Sequence, residues 1–259
     1  MRMLSLLAAL SFSCVWPAVA APKSKKAPAP AKTPVAVSSA AALGLPLHPA
    51  TTAEITVPFV LERFERFDRE LDSLSMGFRQ FVRWEESGVT QSVEGSLDYK
   101  KKDRLHLVHK LPEKQTLVGD GTWLWIWRQS TNQVIRTKLQ DWKKSEPLAQ
   151  GLMDFGSYAE LLKRYDAQVS SVSAPGEDGH RRVELTLKPR EKGADFTLKL
   201  RLTTRDFFPA DAELRAGQIE VHSLFEDIRY NPALPDELFR FTPPAGADVF
   251  TNLKTPASP

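Results

Sequence analysis

The residues best able to do chemistry are few and scattered. The 259-residue chain has five histidines, His48, His106, His109, His180 and His222, and one cysteine, Cys14. A single thiol inside the first apolar run supports no internal disulfide, no multi-cysteine zinc site and no iron–sulfur cluster. His106 and His109 are the only histidines close in sequence. In a strand-like stretch a spacing of three sends their rings to opposite faces, which describes packed or solvated imidazoles rather than a metal pair. No Gly-x-Ser-x-Gly elbow, His-Glu-x-x-His helix, phosphate loop or dinucleotide fingerprint occurs. Carboxylates are plentiful, but in a chain that is 26% charged they describe a solvated surface, and no pair stands out. The expectation is a protein that is not an enzyme and carries no metal and no cofactor.

The elements that must position these residues lie within a divided chain. Residues 1–53 carry Arg2, Lys23, Lys25, Lys26, Lys32 and no acid, which leaves 30 basic and 32 acidic side chains after residue 53. The remainder is slightly acidic, so it lacks the clustered positive charge from which nucleic-acid affinity arises, and no nucleic-acid partner is expected. Arg2, the apolar stretch Leu4 to Trp16 and the Ala18-Val19-Ala20 pattern make residues 1–20 an expected cleavable signal peptide, which implies export. Lipidation at Cys14 is the competing reading, weakened by the absence of an aliphatic residue three positions upstream. Residues 22–50 hold six prolines, eight alanines and four lysines, too little apolar surface to offset chain entropy, so 21–53 is expected to be a disordered arm.

Residues 54–259 form the expected folded domain. Val60, Phe64, Phe67, Leu71 and Leu74 recur at helical spacing after Pro58 and predict a helix over 58–76 that ends at Gly77. Period-two alternation then predicts successive antiparallel strands up to Tyr230, with short turns at Ser87-Gly88, Lys101 to Asp103 and Gly119 to Gly121. Helical spacing in 147–165 interrupts this meander. About ten or eleven strands bury one face by curling into a barrel or half-barrel. Trp123-Leu124-Trp125-Ile126-Trp127 is apolar on both faces, and the two helices are the expected covers of the second one.

Phe78-Arg79-Gln80, Glu94-Gly95-Ser96-Leu97, a basic turn, Val118-Gly119-Asp120-Gly121 before Leu124-Trp125, and Phe239-Arg240-Phe241-Thr242-Pro243-Pro244-Ala245-Gly246 follow one another in an order that resembles the periplasmic outer-membrane lipoprotein carrier family, LolA, from about residue 58 to 250. The resemblance implies an unclosed antiparallel half-barrel with a helical lid over a hydrophobic cavity, which shields the acyl chains of lipoproteins between inner and outer membrane. It implies acylated lipoproteins or other lipid cargo as partners, with an inner-membrane ABC-type release complex and an outer-membrane acceptor, and the protein is expected to be a monomer.

On that reading the cavity is lined by Phe78, Leu97, Tyr99, Leu105, Leu107, Trp125, Leu198 and Leu200, and Leu148, Leu152 and Phe155 belong to the lid. An ordinary packed core is the equal alternative for each lining residue, because alternation specifies a buried face without saying what fills it. Lys101 takes the place where many relatives carry an arginine that contacts the lid helix backbone, and Lys102 replaces their proline. Leu107 stands where that family often has tryptophan, implying a differently shaped pocket. Two other functions share the shape: an RseB-like sensor of lipids or mislocalised lipoproteins, and a carrier of another envelope glycolipid.

Overall fold

The computed structural model describes residues 54–145, 157–190 and 196–251. The signal peptide and arm expected over 1–53, and the lid residues Leu148, Leu152 and Phe155, lie outside the described residues.

The first element is α1, Val57–Glu70. The side chain of Thr56 caps it by accepting from the Phe59 N–H, and Pro58 occupies the first turn, where its missing N–H is no loss. Val60, Phe64 and Phe67 form its buried stripe, and Arg66 pairs with Glu70 one turn on. The helix stops at Glu70 rather than running to 76. Leu71 and Leu74 continue the apolar spacing, but from Ser73 onward the backbone pairs with strands on both sides, Leu74 opposing Tyr99 and Tyr230. The Asn231 side chain seals this break. Its Oδ1 accepts from the Asp72 and Ser73 N–H groups at 2.7 and 3.1 Å, and its Nδ2 donates to the Glu70 carbonyl at 2.9 Å. Asn231 sits at φ +52°, a left-handed backbone that asparagine tolerates better than most residues.

The strands are β1 Ser73–Trp84, β2 Thr90–Lys100, β3 Arg104–Leu111, β4 Gln115–Asp120, β5 Trp123–Arg128, β6 Gln133–Lys138, β7 Tyr165–Val172, β8 Arg182–Pro189, β9 Phe196–Thr203, β10 Pro209–Ala216, β11 Ile219–Tyr230 and β12 Asp248–Thr251. Helices α2, Leu139–Ser145, and α3, Tyr158–Arg164, fall between β6 and β7, and a 3-10 turn covers Asp236–Phe239. All strands join one sheet in the order β12-β6-β5-β4-β3-β2-β1-β11-β10-β9-β8-β7. Two meanders thus meet where β1 pairs with β11, and the end strands β12 and β7 leave the sheet unclosed. Every pairing is antiparallel except that of β12 with β6, the one strand beyond the expected eleven.

Register places apolar residues opposite one another across the inner face. Met76, Leu97, Leu107, Leu117, Ile126 and Ile135 make one row from β1 to β6. Leu187, Leu198, Leu214, Val221 and Val82 make another from β8 to β1. The α1 stripe, Tyr158 and Leu162 of α3, and these rows form a single core cluster. The Asp68 carboxylate joins the two helices by accepting from the first N–H groups of α3, those of Tyr158 and Ala159, at 3.1 and 2.9 Å. The Tyr158 ring packs on Phe64, Phe67 and Phe208. Burial, and then the charge of Asp68, push its phenol well above the usual range.

Among the described residues it is the C-terminal segment that lies over the outer face of β5, where the sequence suggested helices. Phe241 packs on Trp125 and Trp127 at ring separations of 5.6 and 6.3 Å, and the Arg136 guanidinium stacks over Trp123 and Trp125. Phe239 is buried beside β3 and β4, with Arg104 over its ring. The Phe-x-Phe-x-Pro-Pro stretch therefore works as a strap across the outside of the sheet, and β12 follows it onto the β6 edge.

Candidate functional site

Seven of the eight expected lining residues share the inner face. Phe78, Leu97, Tyr99, Leu105, Leu107, Leu198 and Leu200 are each 7% exposed or less and belong to the one core cluster. Strand parity places them there: Leu97 opposes Leu107, Tyr99 opposes Leu105, and Leu198 and Leu200 oppose Leu187 and Leu185. Trp125 does not join them. It pairs with Val118 and Arg136 on the outer face, while Leu124 and Ile126 point inward at 0 and 2% exposure. A segment apolar at every position carries no parity signal, so pairing with β4, not hydrophobicity, decides its faces. Met76, Leu117, Leu185 and Leu214, not among the expected lining residues, share the inner face and the same alternation signal.

Gly95, in the motif that preceded Leu97, has a specific packing reason. It opposes Phe78 on β1 and His109 on β3. A Cβ there would collide with the Val108 carbonyl oxygen and lie 2.5 Å from Phe78 Cζ. The Phe78 ring therefore rests against the glycine and meets the His109 ring edge-on at 5.7 Å.

Lys101 reaches the helix backbone. Its Nζ donates to the Arg69 carbonyl at 2.8 Å and lies 3.4 Å from Asp72 Oδ1, so the ammonium meets the negative end of α1. Asn231 takes the next carbonyl, and together the two side chains satisfy consecutive open acceptors of the last turn. The β2–β3 turn puts Lys102 and Asp103 at φ +68° and +64°. Proline, held near −65°, cannot adopt that backbone, which accounts for the lysine at this position. Lys100 and Arg104 both hold Asp236, at 2.6 and 2.7 Å. The hydrogen-bonded Lys100 first, and then Arg104, keep that carboxyl below its ordinary value of 3.8. The basic turn is thus an anchor for α1 and the strap rather than a solvated loop.

Among the described residues, two polar pairs interrupt the inner face. Gln80 Nε2 donates to Ser223 Oγ at 2.9 Å, and His109 Nδ1 lies 3.2 Å from Gln115 Oε1. All four residues are 5% exposed or less. His106, by contrast, faces outward toward Asp98 at 3.7 Å, so the histidine pair does split across the sheet. Among the described residues no group of three or more His, Cys, Asp or Glu could hold a metal ion, and no helix is long and apolar enough to cross a membrane.

A family model described as "Outer membrane lipoprotein carrier protein LolA" matches residues 69–242. A curated outer-membrane lipoprotein carrier protein of Halorhodospira halophila is 29% identical over 192 residues, 73% of this chain and 85% of the relative. That of Albidiferax ferrireducens is 33% identical over 162 residues, 60% of this chain and 71% of the relative. Among solved structures, a LolA superfamily protein from Nitrosomonas europaea superposes with a TM-score of 0.40 at 14% identity, covering 72% of this chain and 98% of the other.

Proposed function

Since the chain belongs to the outer-membrane lipoprotein carrier family LolA, we propose that it carries lipoproteins through the periplasm by holding their acyl chains against the inner face of its sheet. The observation that carries this reading is the continuity of that face: rows of Leu, Ile, Val, Met and Phe run across β8 to β6 beneath α1 and α3. An acyl chain exposed to water costs about 0.8 kcal/mol per methylene, so a 16-carbon chain needs on the order of 12 kcal/mol of replacement contact. Aliphatic and aromatic side chains supply it without leaving polar groups unmatched.

Phe78, Leu97, Tyr99, Leu105, Leu107, Leu198 and Leu200 are the lining we assign, with Leu124 and Ile126 in place of Trp125. All are buried with the helices in place. Loading therefore requires the α1–α3 pair to leave the sheet as a unit, because Asp68 and Tyr158 bind the two helices to each other. Lys101 and Asn231 hold the C-terminal end of α1, the natural pivot, and Leu148, Leu152 and Phe155 complete the lid. The leader over 1–20 exports the chain, 21–53 is a Pro/Ala/Lys-rich arm, and the monomeric carrier takes cargo from an inner-membrane ABC-type complex to an outer-membrane acceptor.

Native mass spectrometry of the protein purified from its own periplasm tests the proposal. Co-purified acylated protein is the expected result. A bound glycolipid, or protein that stays empty when offered lipoprotein, refutes it.

A further inference from the structure

Resting on the carrier reading, we infer that Gln80 and Gln115 form a polar subsite on the inner face for the junction where acyl chains join the polar part of the cargo. The row from β8 to β2 reads Leu185, Leu200, Ala212, Ser223, Gln80, Val93, so apart from Ser223 the Gln80 amide has apolar residues on both sides of it in the row. It is 0% exposed, and once Nε2 has bonded Ser223 its Oε1 has no hydrogen-bond partner. Gln115 is 5% exposed, and its Nε2 is likewise without one, its Oε1 being turned toward His109. A buried polar atom left unmatched is costly, by about 1–3 kcal/mol. A protein that only needed a filled core would place leucine or methionine at both positions.

The two spare atoms are opposite in kind. Gln80 Oε1 can only accept and Gln115 Nε2 can only donate. Together they complement a group that offers both N–H and C=O, which an alkyl chain does not and an acylated amino acid does. Gln115 lies in the row Phe78, Gly95, His109, Gln115, in which the Phe78 ring lies against Gly95 and meets His109, and Gln80 lies two residues beyond Phe78 on the same face of β1. The backbones of β1 and β4 are three strand spacings apart, about 14 Å. One isolated amide does not span that distance, whereas a junction carrying ester carbonyls and a peptide N–H within a few bonds does. The tails then run along the apolar rows to either side, and the subsite sets how deep the cargo sits.

Two fluorescent probes on the mature chain test this: a short N-acetylated peptide whose cysteine carries a dihexadecanoyl glyceryl group, and its dihexadecyl ether twin, which lacks only the ester carbonyls. The wild-type protein is expected to bind the ester probe about tenfold more tightly, the effect of one carbonyl hydrogen bond in a dry site. Gln115→Met should bring the two dissociation constants within about twofold of each other by removing that donor. Gln80→Met should weaken both probes by about threefold or more and leave their ratio unchanged, since both carry the peptide N–H. Melting curves confirm that each variant is folded, and Gln115→Leu serves as a second variant if Gln115→Met is not. Equal affinities in the wild type, a preference that survives at position 115, or unchanged affinities at position 80 overturn the subsite while carriage stands. Failure of the wild type to bind either probe overturns the carrier reading and the subsite with it.

Discussion

Replacing Gly95 with alanine tests the packing that shapes the inner face. The new Cβ would strike the Val108 carbonyl oxygen and stand 2.5 Å from Phe78 Cζ. The carbonyl cannot retreat freely, because Val108 lies within the β2–β3 and β3–β4 ladders. The ring can retreat only by tilting toward His109, 5.7 Å away between centroids. Overpacking of this kind costs about 1–3 kcal/mol, and exchanging a strand glycine for alanine returns about 0.5–1 kcal/mol of backbone entropy. The net loss is about 1–2 kcal/mol, or a fall in Tm of roughly 2–8 °C for a domain of this size. Calorimetry of Gly95→Ala, Phe78→Leu and the double variant separates the two contacts. In the Phe78→Leu background the ring contact is gone, so the alanine should cost about 1 kcal/mol less, with the carbonyl contact remaining. A Tm for Gly95→Ala equal to or above that of the wild type would show that the sheet relaxes around the methyl and refute the reasoning.

Lys101→Ala removes the Nζ bond to the Arg69 carbonyl. The side chain is 37% exposed, so the loss is small, about 0.5–1 kcal/mol. Amide exchange at residues 69–73 should quicken about threefold while β8 to β10 stay protected, and Lys101→Arg should restore it; uniform exchange in all three proteins would remove Lys101 as an anchor. Asp236 has a folded pKa below its unfolded value, so its contribution is present above the ordinary 3.8 and is lost as pH falls through the lower folded value. Carboxyl NMR should find its midpoint below 3.8, and Lys100→Met should raise it. A midpoint at or above 3.8 in the wild type contradicts the assignment of the Lys100–Asp236 pair.

Much of the fold was legible because one physical rule, alternate residues on alternate faces, operates along nearly every strand. Phe196-Thr197-Leu198-Lys199-Leu200-Arg201-Leu202 shows strict alternation, and its burial follows residue by residue. The rule failed where its input was uniform. In Trp123 to Trp127 every residue is apolar, and the inward positions went to Leu124 and Ile126 through the register with β4. It failed again at Leu71 and Leu74, whose spacing suits a helix and whose backbone is claimed by β2 and β11. The candidate site was legible to the same extent: its inner face was readable from alternation, which also puts Gln80 beside Phe78 and Val82, whereas the Ser223 partner of Gln80 and the inward place of Gln115 come only from strand pairing.

The sequence alone determined the chemical character of this protein: one thiol and a few scattered histidines, a slightly acidic remainder after a basic first 53 residues, and strands with one greasy side. These are local properties, written in composition and in spacings of a few residues. The tertiary structure decided which residues meet. The strap of Phe239 and Phe241 over the outer face, the Lys101 and Asn231 caps on α1, and the pairing of Gln80 with Ser223 join positions 32 to 161 residues apart or elements distant along the chain. Such contacts depend on sheet order and register, which arise from the cooperative burial of many residues at once and leave no signature at any one of them.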